Sequence, residues 1–330
     1  MRFLKKIGTA SLLGIFFVGC GDLGLEVENP NAPNRDAVLG TPAEVENLAA
    51  AQYQQIVFGT TGSLARSHLS MLTMAFENAS GLNNNGMGPR SNIPRQPIDN
   101  GRGNQFSTEN YNDFQILLGV ARNAADILAR SKGEDFELSA GPQAVDRLNA
   151  WAHFVAGVSL GYISMAYDAV GIPRPSDGPE DIPEMEEYPA VNAYALAQLD
   201  SALVYASKPG VPALPGGWLT GPGGSSVSME RFRQVIHSFR ARIRAGVARD
   251  ATERAAVNWQ AVIDDATSGI TSDLVVEMAA SQGWQYIWLN TAYHYRDANW
   301  HQMSYYIIGM ADTGGGYDAW LATPRDSRTP

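Results

Sequence analysis

An apolar stripe at helical spacing, between residues 142 and 171, constrains the fold more than any other feature of the sequence. Pro142 suits the first turn of a helix, and Gly171 with Pro173 ends the pattern. Between them, apolar side chains recur every three or four residues: Leu148, Trp151, Val155, Val158, Tyr162 and Met165. A helix of this length must bury its apolar side against other elements, so we expect further helices around it.

Several other segments carry helical signals. Thr41, Pro42 and Glu44 form a capping box with proline at the first helical position, which predicts a helix to Phe58. Apolar periodicity predicts further helices at about 64–78, 111–132, 189–207, 229–249 and 256–268. The strongest three begin near 142, 189 and 229, a spacing too uneven for a strict repeat. They predict a mainly α fold of stacked helix–turn–helix pairs of degenerate tetratricopeptide type.

The remaining segments are loops. Residues 80–106 are rich in Gly, Pro and Asn, and loops of this length are usually functional or disordered. Residues 173–187 are acidic and proline-containing, and 208–227 are rich in Pro and Gly. We expect no strand before residue 270.

The N-terminus has the order of a bacterial lipoprotein signal. Three basic residues precede an apolar run from Ile7 to Val18, and Gly19-Cys20 follows it. We predict that residues 1–19 are a signal peptide and that Cys20 is lipidated. A polar tether at 20–40 then leads to a helical domain at 41–330. The run of twelve residues is too short for a membrane-spanning helix, which needs about 20.

Charge and cysteine content exclude some functions. The chain has 330 residues with a formal charge of −10, and loss of the signal leaves 21 basic against 34 acidic side chains. An acidic surface disfavours nucleic acid, because that binding depends on neutralising phosphates with Lys and Arg. Cys20 is the only cysteine, so an intramolecular disulfide cannot form.

Two short motifs resemble catalytic sites. Gly157-Val158-Ser159-Leu160-Gly161 matches the serine-hydrolase pattern, but that chemistry needs a strand-to-helix turn and this motif lies in a predicted helix. Asp312-Thr313-Gly314 resembles an aspartic-protease loop, which would need two carboxylates sharing a proton. Helix packing and a Gly-rich turn explain the two motifs better. We predict no enzyme activity, no cofactor and no metal site; the acids of 173–187 lack an EF-hand pattern and suit a solvated loop.

The C-terminal segment is rich in aromatic residues. Residues 284–330 hold ten of the twenty Trp and Tyr of the chain. Such rings can stack on sugar rings while amides and guanidinium groups bond the hydroxyls, or they can simply form core. Trp284, Tyr295 and Trp300 have polar neighbours and are the candidates for exposure, whereas Trp288 and Tyr305 lie in apolar surroundings.

The order of these features resembles the SusD/RagB family of outer-membrane nutrient-binding lipoproteins. The resemblance rests on the lipobox, the Asn29-Pro30-Asn31 tether, Arg147–Phe154 leading to Tyr167–Pro173, residues 192–207 and residues 229–249. The family generally continues beyond residue 330, so we expect the chain to be incomplete at its C-terminus.

The resemblance implies a helical body with a loop-rich binding half, a lipid-anchored location at the cell surface, and a SusC-like TonB-dependent transporter as partner. It implies an oligosaccharide or other nutrient as ligand and no catalysis. Onto this chain it nominates the ligand contacts Asn83, Asn84, Asn85 and Arg90, beside the aromatic candidates Trp284, Tyr295 and Trp300. The alternative from another class is a helical-repeat lipoprotein that binds a protein partner in the envelope.

Overall fold

The computed structural model describes residues 35–61, 71–76, 78–80, 83, 86–99, 101, 103–106, 108–277, 279, 284, 302–303 and 312–323. The chain divides into two compact units, Met1–Val38 and Leu39–Pro330. The described part of the first unit is a single helical turn, α1 (Arg35–Val38). It lies inside the segment that we expected to be an extended tether. Cys20 and the signal lie outside the described residues.

The second unit is built mainly from helices. They are α2 (Pro42–Thr60), α3 (Met87–Ser91), α4 (Thr108–Arg130), α5 (Pro142–Ala166), α6 (Tyr188–Ala206), α7 (Met229–Gly246), α8 (Ala251–Ala256), α9 (Trp259–Thr267) and α10 (Gly316–Ala322). The long helices pack against their neighbours along the chain, α4 on α5, α5 on α6 and α6 on α7. The predicted mainly α fold of packed helix pairs is confirmed. No helix in the described part of the chain is both long and apolar enough to cross a membrane.

Local capping signals fix where two helices begin. The amide of Glu44 donates to Thr41 Oγ1 at 3.3 Å and the amide of Thr41 donates to Glu44 Oε2 at 2.9 Å, which completes the predicted capping box. Ser228 accepts a hydrogen bond from the amide of Arg231 at 3.2 Å at the start of α7. Each cap satisfies backbone donors that the helix cannot, which typically stabilises by about 1 kcal/mol.

Helix α5 occupies the core. It packs against α2, α4, α6 and α7, and its buried residues face every direction, as expected of a helix surrounded by others. The fully buried Trp151 lies at the centre. Its indole N–H donates to the carbonyl of Ala49 in α2 at 2.7 Å, and its ring contacts Phe154, Trp218 and Phe232. This side chain therefore joins α2, α5, α7 and the loop that contains Trp218.

The structure describes four short strands, and the three that precede residue 270 show that the prediction of no strand there is wrong. The strands β1 (Asn78–Ala79) and β4 (Gln302–Met303) pair antiparallel, as do β2 (Ala169–Gly171) and β3 (Met185–Glu187). Each has only two or three residues, which is too short for an alternating pattern to show in the sequence. The pairing partners are distant along the chain for β1 and β4.

Three predicted helix boundaries are wrong. Helix α5 ends at Ala166 rather than near Gly171, because Tyr167 adopts extended backbone and leads into β2. The helix predicted at 64–78 ends early: residues 71–74 are helical, and Asn78 already belongs to β1. The helix predicted at 256–268 is preceded by a separate helix, α8, and begins at Trp259, where Asn258 caps it.

Candidate functional site

The predicted binding loop folds around the short helix α3. Met87, Gly88, Pro89 and Arg90 are all buried. The Arg90 side chain is 2% exposed and donates from Nη1 to the carbonyl of Gln96 at 2.5 Å, while the amide of Gln96 donates to Pro89 O at 3.2 Å. The buried Arg90 side chain therefore holds two parts of the loop together. Its role as a ligand contact stays a prediction.

Of the other predicted polar contacts, only Asn83 lies among the described residues. Asn83 is exposed, which is compatible with a ligand contact. Asn84 and Asn85 lie outside the described residues. Within this loop, the guanidinium of Arg95 lies 3.9 Å from the ring centroid of Phe76, a cation–π contact that holds the loop against residues 71–76.

Trp284 does not have the exposure that its polar neighbours suggested. It is 6% exposed and belongs to the main hydrophobic core, and its amide donates to Ala279 O at 3.2 Å. The expectation of an exposed ring is therefore wrong at this position, because the large apolar surface of tryptophan packs against the helices. Tyr295 and Trp300 lie outside the described residues, so they remain predicted ligand contacts.

A groove between α2 and α4 was not predicted. Its volume is about 500 Å³, and it is lined by Gln55, Asn112, Gln115, Ile116, Gly119, Val120 and Asn123. All but Gln55 lie on α4, at spacings of three and four that place them on one face of the helix. Four of the seven side chains are carboxamides, and the groove is lined by no ionisable side chain within the described ranges. This size falls within the range of ligand pockets, roughly 300–1,000 Å³.

One carboxamide of the groove is held in place by a buried partner. Gln52 is 2% exposed; its Nε2 donates to Leu48 O at 2.7 Å, and its Oε1 accepts from Asn123 Nδ2 at 3.2 Å. This chain of hydrogen bonds orients Asn123. Among the described residues, none hydrogen-bonds to the carboxamides of Gln55, Asn112 or Gln115.

Two glycines, one on each helix, lie beside the groove. A Cβ on Gly59 of α2 would lie 3.1 Å from Leu117 Cγ, so the two helices touch there. A Cβ on Gly119 of α4 would meet nothing within 4 Å.

The G-x-S-x-G motif is a packing device. Ser159 lies inside α5, is fully buried and donates to Ala156 O at 3.1 Å. A Cβ on Gly157 would lie 2.6 Å from Leu199 Cγ, and one on Gly161 would lie 2.3 Å from Ile243 Cδ1. The glycines let α6 and α7 approach α5 closely, and the motif lacks the strand-to-helix turn of a nucleophile elbow.

Asp312 also has a structural role. Its carboxylate accepts from the amides of Tyr317 and Gly314, the second at 2.9 Å, immediately before α10. These backbone hydrogen bonds, that of Tyr317 foremost, lower the pKa of Asp312. The predicted Gly-rich turn is confirmed, and an ionised turn carboxylate is unlike a protease pair that shares a proton.

In the acidic segment before α6, two carboxylates accept hydrogen bonds from backbone amides of the same segment. Asp177 accepts from the amide of Arg174 at 2.7 Å, and Asp181 accepts from the amide of Gly178 at 2.6 Å. Arg174 also pairs with Glu186 at 2.6 Å, which raises the pKa of the guanidinium. No group of three or more metal-ligating side chains occurs in the part of the chain that the structure describes.

A buried carboxylate contacts one histidine and two arginines of α7. Asp265, 5% exposed, lies 2.9 Å from His237 Nδ1, 3.2 Å from Arg240 Nη1 and 3.0 Å from Arg244 Nε. Arg240 also reaches Asp200 at 2.8 Å. Arg240 and Arg244 therefore have acidic partners, and these contacts tie α9 and α6 to α7.

His153 is a packed histidine in α5. Its Nδ1 lies 2.7 Å from Gln198 Oε1, and its ring stacks on Tyr205 with centroids 5.5 Å apart. Burial lowers the pKa of His153, the hydrogen bond to Gln198 opposes that effect, and the charge of Lys132 adds to it. The ring is therefore favoured in its neutral form.

The fold and site define a mainly helical protein whose described surface offers one amide-lined groove and one loop fastened by a buried arginine. No family model matches the chain, and no curated protein matches it. Among solved structures, the chain is similar to a SusD/RagB family protein from Bacteroides thetaiotaomicron VPI-5482, with 14% identity and a TM-score of 0.48. The match covers 69% of this chain and 43% of that protein, so this chain spans less than half of its length. At this level the likeness assigns neither a ligand nor a partner.

Proposed function

We propose that the protein is a lipid-anchored binding protein of the SusD/RagB type. It captures an oligosaccharide or another nutrient at the cell surface and delivers it to a SusC-like TonB-dependent transporter in the outer membrane. The single observation that carries the proposal is the order of features in the sequence, from the lipobox at Cys20 through the Asn-Pro-Asn tether to the helices at 142–173, 192–207 and 229–249.

Features of the folded chain support a binding role over a catalytic one. Ser159 is fully buried inside a helix, and Asp312 is engaged in a turn. The loop held by Arg90 carries the exposed Asn83 at its start, where an amide can bond a hydroxyl group. With Trp284 in the core, aromatic stacking on a sugar would depend on Tyr295 and Trp300.

Removing the lipidation site tests whether the protein must be anchored to the membrane to support uptake. Full-length Cys20→Ala protein should fold and bind ligand as wild type does, but it should fail to support nutrient uptake in cells. The physical reason is that the anchor keeps the protein at high effective concentration beside its transporter. Full uptake with the Cys20→Ala form would contradict the proposal, and an unchanged thermal unfolding curve is the control for folding.

Replacing the predicted aromatic contacts tests whether they bind an oligosaccharide. Calorimetric titration with neutral oligosaccharides should show binding that Trp300→Ala or Tyr295→Ala weakens about tenfold or more, because an aromatic side chain that covers the apolar face of a sugar buries apolar surface worth roughly 1.5–3 kcal/mol. Binding that both variants leave unchanged would remove these residues from the site.

The second candidate function is a scaffold that binds a protein partner, and an exposed apolar surface on α9 favours it. Trp259 and Ile263 lie four residues apart on α9 and are 47% and 55% exposed. A photo-crosslinking residue at Ile263 should capture one defined envelope protein if this candidate is right, and the same residue at the exposed Asp264 should not. Equal capture at both positions would contradict it.

A further inference from the structure

The groove between α2 and α4 has the chemistry of a main-chain binding site. Its seven lining residues comprise four carboxamides, two branched apolar side chains and Gly119. A carboxamide both donates and accepts, as does a peptide group, so the two can pair with two parallel hydrogen bonds. The half-buried Ile116 lies between the carboxamides of α4, where an apolar side chain of a ligand can pack, whereas Val120 is buried beneath the groove.

The length of the groove sets the size of its ligand. Asn112 and Asn123 lie eleven residues apart on α4, which corresponds to about 16 Å along the helix. An extended peptide rises about 3.3 Å per residue, so roughly five residues fit along this face.

The lining also argues against two other ligand classes. No aromatic side chain lines the groove within the described residues, so a sugar ring has no platform on which to stack. No ionisable side chain lines it there either, so the charged termini of a free short peptide would find no partner. Both observations favour an uncharged segment from the interior of a longer chain.

We propose that the α2–α4 groove binds an extended, uncharged peptide segment of a partner protein through the segment's main chain. Gln55 and Asn123 bond it from opposite sides of the groove, and Gln115 bonds it along α4. The buried Gln52 is a positioning residue, because it orients Asn123 through the 3.2 Å hydrogen bond. The residues that line this groove are not among those named as ligand contacts in the proposed function.

Two glycines supply a matched pair of blocking variants. A Cβ on Gly119 in the groove or on Gly103 in the 80–106 loop would meet nothing within 4 Å. Gly119→Phe should fill the groove without disturbing the core, and Gly103→Phe adds the same ring to the loop. Gln115→Ala, at an exposed position, provides a second groove variant with little effect on folding.

The test uses full-length protein in a detergent without a sugar headgroup. The probes are heptapeptides of Gly, Ala, Ser, Thr, Val and Leu with acetylated and amidated ends, their free-terminus forms and forms N-methylated at alternate residues. Binding is measured by fluorescence anisotropy. We expect capped peptides to bind, Gly119→Phe to weaken them at least tenfold, Gln115→Ala to weaken them severalfold and Gly103→Phe to leave them within twofold. N-methylation should abolish binding.

Each other outcome would overturn the inference. N-methylated peptides that bind equally would show that the main chain is not read, and tighter binding of free-terminus peptides would indicate a nutrient peptide. Equal binding to Gly119→Phe would place the peptide elsewhere. Binding of maltohexaose or xylohexaose, lost in Gly119→Phe while no capped peptide binds, would make the groove a sugar site. If no probe binds, the groove is not a ligand site, and the proposed function is unaffected.

Discussion

Replacing Gly157 with alanine tests whether the G-x-S-x-G motif serves close helix packing. Alanine has a higher helix propensity than glycine by about 1 kcal/mol, so the substitution alone should stabilise the helix. At Gly157, however, the new methyl group would lie 2.6 Å from Leu199 Cγ and 2.8 Å from the backbone oxygen of Ala195. A backbone atom cannot rotate away, so α5 and α6 must separate.

Overpacking of a core typically costs about 1–3 kcal/mol, and contacts this short favour the upper end. The net effect of Gly157→Ala should therefore be a loss of about 2 kcal/mol. Gly119→Ala is the matched control, because it makes the same change in a helix where the methyl group meets nothing within 4 Å. It should stabilise by about 0.5–1 kcal/mol.

Equilibrium urea unfolding, followed by circular dichroism at 222 nm, measures both variants. The free energies of unfolding of the two variants should differ by roughly 3 kcal/mol, with Gly119→Ala the more stable. If Gly157→Ala is as stable as Gly119→Ala, the helices do not need glycine at this contact. The packing explanation of the motif would then be wrong.

Two further predictions concern charged and titratable groups. Asp265→Asn should lower the free energy of unfolding by about 3 kcal/mol, because the partly buried arginines of α7 lose their shared carboxylate. Asp264→Asn, at the exposed neighbouring position, should change the free energy of unfolding by less than about 0.5 kcal/mol in the same urea experiment. Equal effects of the two substitutions would contradict the role of Asp265. Burial lowers the pKa of His153, so the unfolded chain binds its proton more readily and stability should fall as the pH drops below about 6.5. Thermal unfolding at pH 7.5 and 5.5 should show a smaller loss for His153→Gln than for wild type, and an equal loss would show that this ring does not contribute.

Local signals predicted much of the fold. The Thr41–Glu44 capping box and the apolar stripe around Trp151 depend on residues within a few positions of each other, and the structure confirms both. The short strands could not be predicted, because β1 pairs with a segment more than 200 residues away. The end of α5 was missed because the chain turns extended at Tyr167 and then forms the three-residue strand β2, which is too short to show in the sequence pattern.

The site was harder to predict than the fold. The polar neighbours of Trp284 suggested exposure, but burial depends on contacts with distant helices. The groove joins residues of α2 and α4 that lie about sixty positions apart, and its only local signal is the run of small and amide side chains at Asn112, Gln115, Gly119 and Asn123. Such a run also suits an ordinary solvated helix face, so the sequence alone could not identify a groove.

The association with a transporter is the central claim, and purification from membranes tests it most directly. Full-length protein with a C-terminal tag, extracted from its native membranes in mild detergent, should bring down a TonB-dependent barrel in near-equal amount. Cys20→Ala protein should recover much less of it, because the anchor no longer holds the two proteins in one membrane. Recovery of the anchored protein without any such barrel, or with soluble envelope proteins instead, would contradict the account.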